Sequence, residues 1–266
     1  LIQEQVPYVT EINFAGGEST ITQDHYYILS QLLENNRADV KLTYTTNLST
    51  TSYKDMDFLE VWPKFKEVVI HISLDDVEQR GEYWRNGLEW DKFLINVKRV
   101  KELSEKHPNI KMAYSITVFT FNIHRMDSIV EYMQNNELLN NNVKLIVNSS
   151  VCFAEHHDVS TLTEEFKQYA QGHVERAVEL LHNHPNKSDM EAVVNKLKLL
   201  KCDYHKASKR HVSVEHESLR EFAAKHYAQL DIIRKQSLKE VAPELYEFYK
   251  DYGYDEEYNT FVPFPL

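Results

Sequence analysis

The sequence has 266 residues, of which 42% are hydrophobic and 12% aromatic, a composition typical of a packed globular protein and not of a disordered one. Its formal net charge of -11 argues against non-specific binding to nucleic acid or to an anionic membrane, because both require a cationic protein surface. No stretch approaches the ~18 consecutive apolar residues of a membrane span, so we expect a cytoplasmic protein with neither nucleic acid nor a membrane as partner.

Strands and helices alternate through the first part of the chain. Alternating or β-branched runs predict five strands, at residues 8–15, 40–46, 68–74, 111–119 and 143–147. Apolar residues at helical spacing predict a helix capped by Asp24, a short helix before the third strand, and helices over 91–106 and 127–139. This order predicts a parallel α/β sheet, either doubly wound or curved into a barrel.

After residue 160 the pattern changes to helices alone. Two capping boxes, a helical run, and a proline and a glycine that bound a last short helix indicate this: Thr161-x-x-Glu164, Ser188-x-x-Glu191, residues 217–234, Pro243 and Gly253. We therefore predict a partial barrel over 1–160 and a helical region over 161–266, which would cover the base and side of the barrel.

Glycines and small polar residues lie at the ends of successive predicted strands. They are Gly16, Gly17, Glu18, Asn47, Ser73, Asp75, Ser115 and Asn122. Because the carboxyl ends of parallel strands meet at one edge of a sheet, we expect these residues to converge on one pocket. Taken singly, each has a structural explanation: Gly16-Gly17 as a tight turn, Asn47 as a turn residue, and Asp75 as a helix cap.

Three stretches around these residues resemble the signatures of radical S-adenosylmethionine (SAM) enzymes. EINFAGGEST (11–20) is similar to the family's Gly-Gly-Glu motif, with Ser19 where proline is usual, and TYTTNLST (43–50) is similar to its Thr-Asn signature. Residues 71–102 resemble the family's strand, Ser-x-Asp turn, Tyr-x-Arg and following helix. The stretch VWPKFKEV, the Trp90-Asp91 helix start and the run from 230 to 245 are similar to twitch-domain radical SAM proteins.

This resemblance implies a SAM site. Gly16, Gly17 and Glu18 would receive the amino group of the methionyl part, and Arg85 would pair with its carboxylate. The remaining members of the implied set are Asn47 and Ser73 near the ribose or methionyl part, Val118 and Asn122 bordering adenine, and Asp75 and Ser115 at the same strand ends. As an alternative, Arg85 forms a surface salt bridge.

The resemblance also implies a [4Fe-4S] cluster and a 5'-deoxyadenosyl radical made from SAM, but the Cys-x3-Cys-x2-Cys that binds such a cluster is absent. The two cysteines, Cys152 and Cys202, cannot replace that triad. We therefore expect a partial (β/α)6 barrel without its first strand, with the cluster supplied by a missing N-terminal segment or by a separate chain. No catalytic residue is assigned, and the substrate is a small molecule or, by analogy, a peptide or protein.

Two other functions remain open. The chain could be a cluster-less remnant that binds SAM, a nucleotide or a protein partner. It could also be an unrelated parallel α/β enzyme whose Gly-Gly turn binds a phosphate.

Three histidine groups lack the ligand spacing of a metal site, so we predict no bound metal from them: His156-His157-Asp158, His182-x-His184, and Cys202-x2-His205 with His211. For His156 a substrate contact is the better functional hypothesis.

Overall fold

A computed structural model describes residues 2–139, 143–149, 155–184, 187–199 and 216–255 of the protein. Cys152, Cys202, His205, His211 and the C-terminal FVPFPL stretch lie outside these residues.

A five-stranded parallel sheet forms the centre of the molecule, in the order β1-β2-β5-β6-β7. Its strands are β1 (Glu11–Phe14), β2 (Lys41–Thr46), β5 (Glu67–Ser73), β6 (Ile110–Val118) and β7 (Val143–Ser149). A small antiparallel hairpin of β3 (Ser52–Tyr53) and β4 (Met56–Asp57) lies between β2 and β5 in sequence. The five predicted strands are thus confirmed, each within a few residues, while the hairpin was not predicted.

The order of the strands decides between the two predicted arrangements of the sheet. Each new strand joins the same growing edge, so the order in space follows the order in sequence. Because parallel crossovers are almost always right-handed, such winding in one direction places the connecting helices on one face. This excludes the strand reversal of a doubly wound sheet and matches part of a (β/α) barrel. The curvature of a partial (β/α)6 barrel stays a prediction.

Eleven α-helices accompany the sheet in the described part of the chain. They are α1 (Ile2–Gln5), α2 (Gln23–Glu34), α3 (Phe58–Val61), α4 (Glu78–Trp84), α5 (Trp90–Lys106), α6 (Met126–Asn135), α7 (Glu164–His182), α8 (Lys187–Leu199), α9 (His216–Arg234), α10 (Leu238–Val241) and α11 (Pro243–Lys250). None of the described helices has the length and apolar character needed to cross a membrane.

Three predicted helix starts need correction. The cap of α2 is Thr22 and not Asp24, because the Thr22 hydroxyl accepts the hydrogen bond from the His25 amide. Thr163, and not Thr161, caps α7, since Thr161 already belongs to a short 3-10 helix. The helix α8 begins at Lys187, before the Ser188 predicted as its cap.

The two faces of the sheet differ in polarity. On one face, buried side chains such as Tyr44, Ile70 and Tyr114 join a single hydrophobic core with residues of α2, α5, α6, α7 and α8. The intervening residues, among them His71, Ser73 and Ser115, are only partly buried. Alternation along the strands therefore produces one apolar face and one hydrogen-bonding face.

The last helices pack against the loops at the carboxyl edge of the sheet, through a second hydrophobic cluster. That cluster joins Tyr83, Phe119 and Phe121 to buried residues of α9, α10 and α11. The expectation that the helical region covers the base and side of the barrel is therefore wrong for these three helices. The division of the chain at residue 160 stays a prediction.

The same helices are tied to α4 by buried polar contacts. The Tyr83 hydroxyl donates to Asp231 Oδ1 at 2.8 Å, and the Leu238 amide donates to Asp231 Oδ2 at 2.6 Å. Arg234 Nη1 donates to the Tyr83 carbonyl oxygen at 3.1 Å. Residues 230–245, identified as a motif from sequence, thus attach the C-terminal helices to the edge of the sheet.

Candidate functional site

The side chain of Arg85 joins the loops that follow β2 and β5. Its Nη1 donates to Asn47 Oδ1, and its Nη2 lies 2.7 Å from Asp75 Oδ2. The Arg85 side chain is 23% exposed, whereas that of Asp75 is 5% exposed. Arg85 thus contacts Asn47 and Asp75, two of the strand-end residues expected to converge, although Arg85 itself was implied only by the resemblance. The salt bridge considered as an alternative for Arg85 is also present, and it is partly buried.

The short helix α4 positions Arg85. Arg85 caps its C-terminus, and its amide donates to the Gly81 carbonyl oxygen at 2.9 Å. At Gly81 the helix lies so close to the preceding loop that an added Cβ would be 2.7 Å from the Asp76 carbonyl oxygen. Sequence patterns did not predict this helix, which is only two turns long and has no side-chain cap.

One of the five N–H donors of the Arg85 guanidinium is buried without a partner among the described residues. That donor is the Nε–H group. Burial raises the pKa of Asp75, while the positive charge of Arg85 opposes that shift. A buried N–H without a partner costs about 1–3 kcal/mol, so this site favours an additional acceptor beside Arg85.

Gly16 and Gly17 form an open turn after β1. Both have positive φ, +90° and +58°, and no atom lies within 4 Å of a Cβ built on either. Both residues are exposed. Their backbone groups are therefore accessible to a ligand, as the Gly-Gly pair predicted.

Glu18 connects this turn to the end of β2. One oxygen of its carboxylate accepts from Thr46 Oγ1 at 2.6 Å and from Thr20 Oγ1 at 2.5 Å, and the other accepts from the Asn47 amide at 2.7 Å. The Thr20 amide adds a longer bond of 3.4 Å. Three of these bonds end on Oε1 and one on Oε2, so Glu18 holds the turn in place while Oε2 keeps an acceptor position.

Asn122 joins the loops after β5 and β6. Its Nδ2 donates to the carbonyl oxygens of Asp75 and Thr117, both at 2.8 Å, and its Oδ1 accepts from the Phe119 amide at 2.9 Å. The residue is completely buried. The Val118 side chain is also buried, on the apolar face of the sheet with Ile116. Neither side chain lies on the hydrogen-bonding face.

Ser73 and Ser115 lie on the hydrogen-bonding face, as neighbours on β5 and β6. Asn148 on β7 extends this row, because its Nδ2 donates to Ser115 Oγ at 3.0 Å. His71 lies on the same face of β5, and burial lowers its pKa. The sequence interpretation missed His71 and Asn148, although the alternation of each strand placed them on this face.

The chain has a weak structural likeness to a known protein. No protein-family model matches the sequence, and no curated protein matches it. Among solved structures, the chain is similar to native anSMEcpe with bound AdoMet and Cp18Cys peptide, with a TM-score of 0.44 and 10% identity over 74% of this chain. The matched region covers about half of the anSMEcpe chain, 52%. A likeness this weak does not assign the protein to a family.

Proposed function

We propose that the carboxyl edge of the sheet, around Arg85 and the Gly16-Gly17 turn, forms a pocket that binds SAM, and that the chain is the SAM-binding part of a radical SAM enzyme. One observation carries the proposal: Arg85 contacts the loops after two neighbouring strands, and its Nε is buried without a partner among the described residues. A guanidinium can donate two parallel hydrogen bonds to a carboxylate, such as that of the methionyl part of SAM. The resemblance of residues 11–20, 43–50 and 71–102 to SAM-binding signatures supports this ligand.

In this proposal the backbone of Gly16 and Gly17 contacts the amino group, because that turn is exposed and unobstructed. Glu18 keeps the turn in position, since its carboxylate is already hydrogen-bonded to Thr20, Thr46 and Asn47. Ser73 and Ser115 offer hydroxyl groups on the open face to the ribose. In this proposal Val118 and Asn122 hold the shape of the loop after β6, which borders the adenine. Their side chains do not contact the adenine directly.

The residues of this chain do not fit a [4Fe-4S] cluster. Such a cluster requires three thiolates in this kind of enzyme, and the sequence has two cysteines, both outside the described residues. We therefore propose that a further segment or a separate chain supplies the cluster. The substrate, proposed by analogy, is a peptide or protein, with a small molecule as the alternative.

A binding module without a cluster is the second candidate function. Two observations favour it: the chain has two cysteines, and Asp75 already occupies one side of the Arg85 guanidinium. A phosphate site at Gly16-Gly17 is less well supported. Phosphate turns of this type usually lead into a helix N-terminus, whereas this turn leads into a 3-10 helix of three residues, Ser19–Ile21.

Calorimetric titration of the purified chain with SAM, and separately with ADP, tests the proposal. We expect SAM to bind and ADP not to bind. Arg85→Ala should weaken SAM binding at least about 10-fold, because a hydrogen bond to a charged group contributes about 1.5–3 kcal/mol. Arg85→Lys should restore only part of the affinity, since a lysine cannot donate in two parallel directions.

Arg176→Ala provides the matched control, because Arg176 is 60% exposed and pairs with Asp127 on another helix. Its SAM affinity should equal that of the unmodified chain. Binding of ADP without SAM would support the phosphate site instead, and equal affinities for SAM in Arg85→Ala and Arg176→Ala would refute the proposed role of Arg85.

A further inference from the structure

Three histidines from two distant parts of the chain meet near the carboxyl edge of the sheet. His156 and His157 form a 3-10 helix with Glu155, and His226 lies on α9. One ring nitrogen from each lies within 4.8 Å of the other two. The ring centroids of His156 and His157 are 4.1 Å apart, and that of His226 is 5.3 Å from His156 and 5.6 Å from His157.

These imidazoles are in the state that a metal ion requires. Burial lowers the pKa of His156 and of His226 to about 4, and lowers that of His157 well below its usual value. The rings are therefore neutral at pH 7, and each has a lone pair on one nitrogen. Protonated rings would instead repel both one another and a cation.

His156 has a buried nitrogen that lacks a partner. The residue is 7% exposed, and no described group forms a hydrogen bond with its Nε2. A buried polar atom without a partner costs about 1–3 kcal/mol. Packing of aromatic rings accounts for the nearness of the histidines but leaves this nitrogen unsatisfied, whereas a bound cation would satisfy it.

We propose that His156, His157 and His226 bind one divalent transition-metal ion, for which Zn²⁺ is the natural probe. Three imidazoles are a known ligand set for zinc, with the fourth position open to water or a small ligand. In tetrahedral geometry the ligand nitrogens lie about 3.3 Å apart, so the rings must move closer together by up to about 1.5 Å on binding.

The surroundings of His157 suit this role. Its Nδ1 lies 3.4 Å from the hydroxyl of Tyr227, which is completely buried. When His157 donates this hydrogen bond, its lone pair is on Nε2, and the contact fixes the orientation of the ring, as outer partners of metal-binding histidines do. The His157 ring also packs edge-on against Trp84 at 5.1 Å, next to Arg85.

Sequence spacing could not show this site. His226 follows His156 by 70 residues in the sequence, and only the packing of α9 against residues 155–157 brings the rings together. The metal site does not depend on whether the neighbouring pocket binds SAM.

Zinc content of the tag-free 266-residue chain tests the proposal. After dialysis against a slight excess of Zn²⁺ and then against metal-free buffer, plasma mass spectrometry should find one zinc per chain. His226→Gln should lower zinc affinity at least about 100-fold, since loss of even an outer partner costs 10- to 100-fold. Co²⁺ in place of zinc should give the strong visible absorption of a tetrahedral site.

His107→Gln is the matched control, because His107 is partly buried and belongs to no group of metal ligands in the described residues. It should retain one zinc, and circular dichroism should show that both variants are folded. His156→Gln gives a second measurement if His226→Gln does not fold. No zinc in the unmodified chain, or one zinc retained in folded His226→Gln or His156→Gln, would overturn the proposal.

Discussion

The amide of Asn122 holds two loops at the carboxyl edge of the sheet. It provides three hydrogen bonds to backbone groups of Asp75, Thr117 and Phe119, and water does not reach it. The three hydrogen bonds of this one side chain fix the backbone at the start of the loop after β5 and of the loop after β6.

Asn122→Ala should therefore lower the free energy of unfolding by about 2–5 kcal/mol, because it leaves two carbonyl oxygens and one amide buried without partners. Urea denaturation followed by fluorescence measures this change. Asn136→Ala is the control: Asn136 is exposed, and among the described residues its Nδ2 donates to the Tyr132 carbonyl oxygen alone, so its loss should cost under about 1 kcal/mol. Equal costs for the two variants would contradict the structural role of Asn122.

The sequence predicted the positions of several residues at this edge better than their contacts. The parallel pattern predicted that Asn47 and Asp75 lie at the same edge, and both contact Arg85, which only the resemblance had implied. It could not show that Glu18 and Asn122 use their polar groups within the protein, because the partners belong to other strands and loops. Whether these residues serve a ligand stays a prediction.

Among the elements, α4 depends on a close approach that only glycine permits. A Cβ at Gly81 would lie 2.7 Å from the Asp76 carbonyl oxygen and 3.4 Å from the Trp90 ring. The nearest atom belongs to the backbone, which cannot rotate away as a side chain could.

Gly81→Ala should consequently destabilise the protein by about 1–3 kcal/mol, despite the higher helix propensity of alanine. Gly172 in α7 is the matched control, since nothing lies within 4 Å of its Cβ position. There alanine should be neutral or should stabilise the protein by up to about 1 kcal/mol. Thermal unfolding of both variants measures the difference, and a stabilising effect at Gly81 would show that the contact can relax.

The long regular elements were predictable from sequence, as were two short helices, α3 before β5 and α11 after Pro243, whereas the hairpin and α4 were not. Strands β2, β5, β6 and β7 and helices α2, α5, α6 and α9 carry long periodic patterns, and they were predicted within a few residues. The two-residue strands β3 and β4 and the helix α4 contain too few residues for a period to emerge. Their positions are determined by tertiary contacts such as that of Gly81.

At the scale of the whole molecule, an ion-pair network joins α11 to α4 and to the loops after β5 and β6. Arg80 of α4 contacts Asp76 at 3.0 Å and Glu244 of α11 at 2.6 Å. His124 Nε2 lies 2.7 Å from the same Glu244 oxygen. Burial lowers the pKa of His124, and its Nε2 hydrogen is donated to the Glu244 carboxylate, which when ionised can only accept.

This network makes stability depend on pH. Burial alone would raise the pKa of Glu244, but the hydrogen bond from His124 and the charge of Arg80 outweigh it and lower the pKa from 4.5 to about 2. The folded state therefore binds fewer protons than the unfolded state between these values. The stabilisation is fully present above pH 4.5 and is lost as the pH falls to about 2.

Glu244→Gln should remove at most about 3 kcal/mol of stability at neutral pH, and the difference from the unmodified chain should disappear near pH 2. Urea denaturation between about pH 6 and about pH 2 measures it. Glu247→Gln on the same helix is the control, because Glu247 is 63% exposed and its pair with Lys250 contributes little. A difference that persists unchanged at low pH would contradict the assignment.

The helix α4 carries Arg80 and Tyr83, which bind the C-terminal helices, and it ends at Arg85, which faces the strand ends. The C-terminal helices and a ligand beside Arg85 would therefore both contact α4, a helix of two turns. Thermodynamic reciprocity then requires that a molecule bound at Arg85 change the free energy of docking by the same amount by which docking changes the free energy of binding. If docking favours binding, a mutation that loosens α11 weakens the affinity for that molecule, without any change to the groups that contact it.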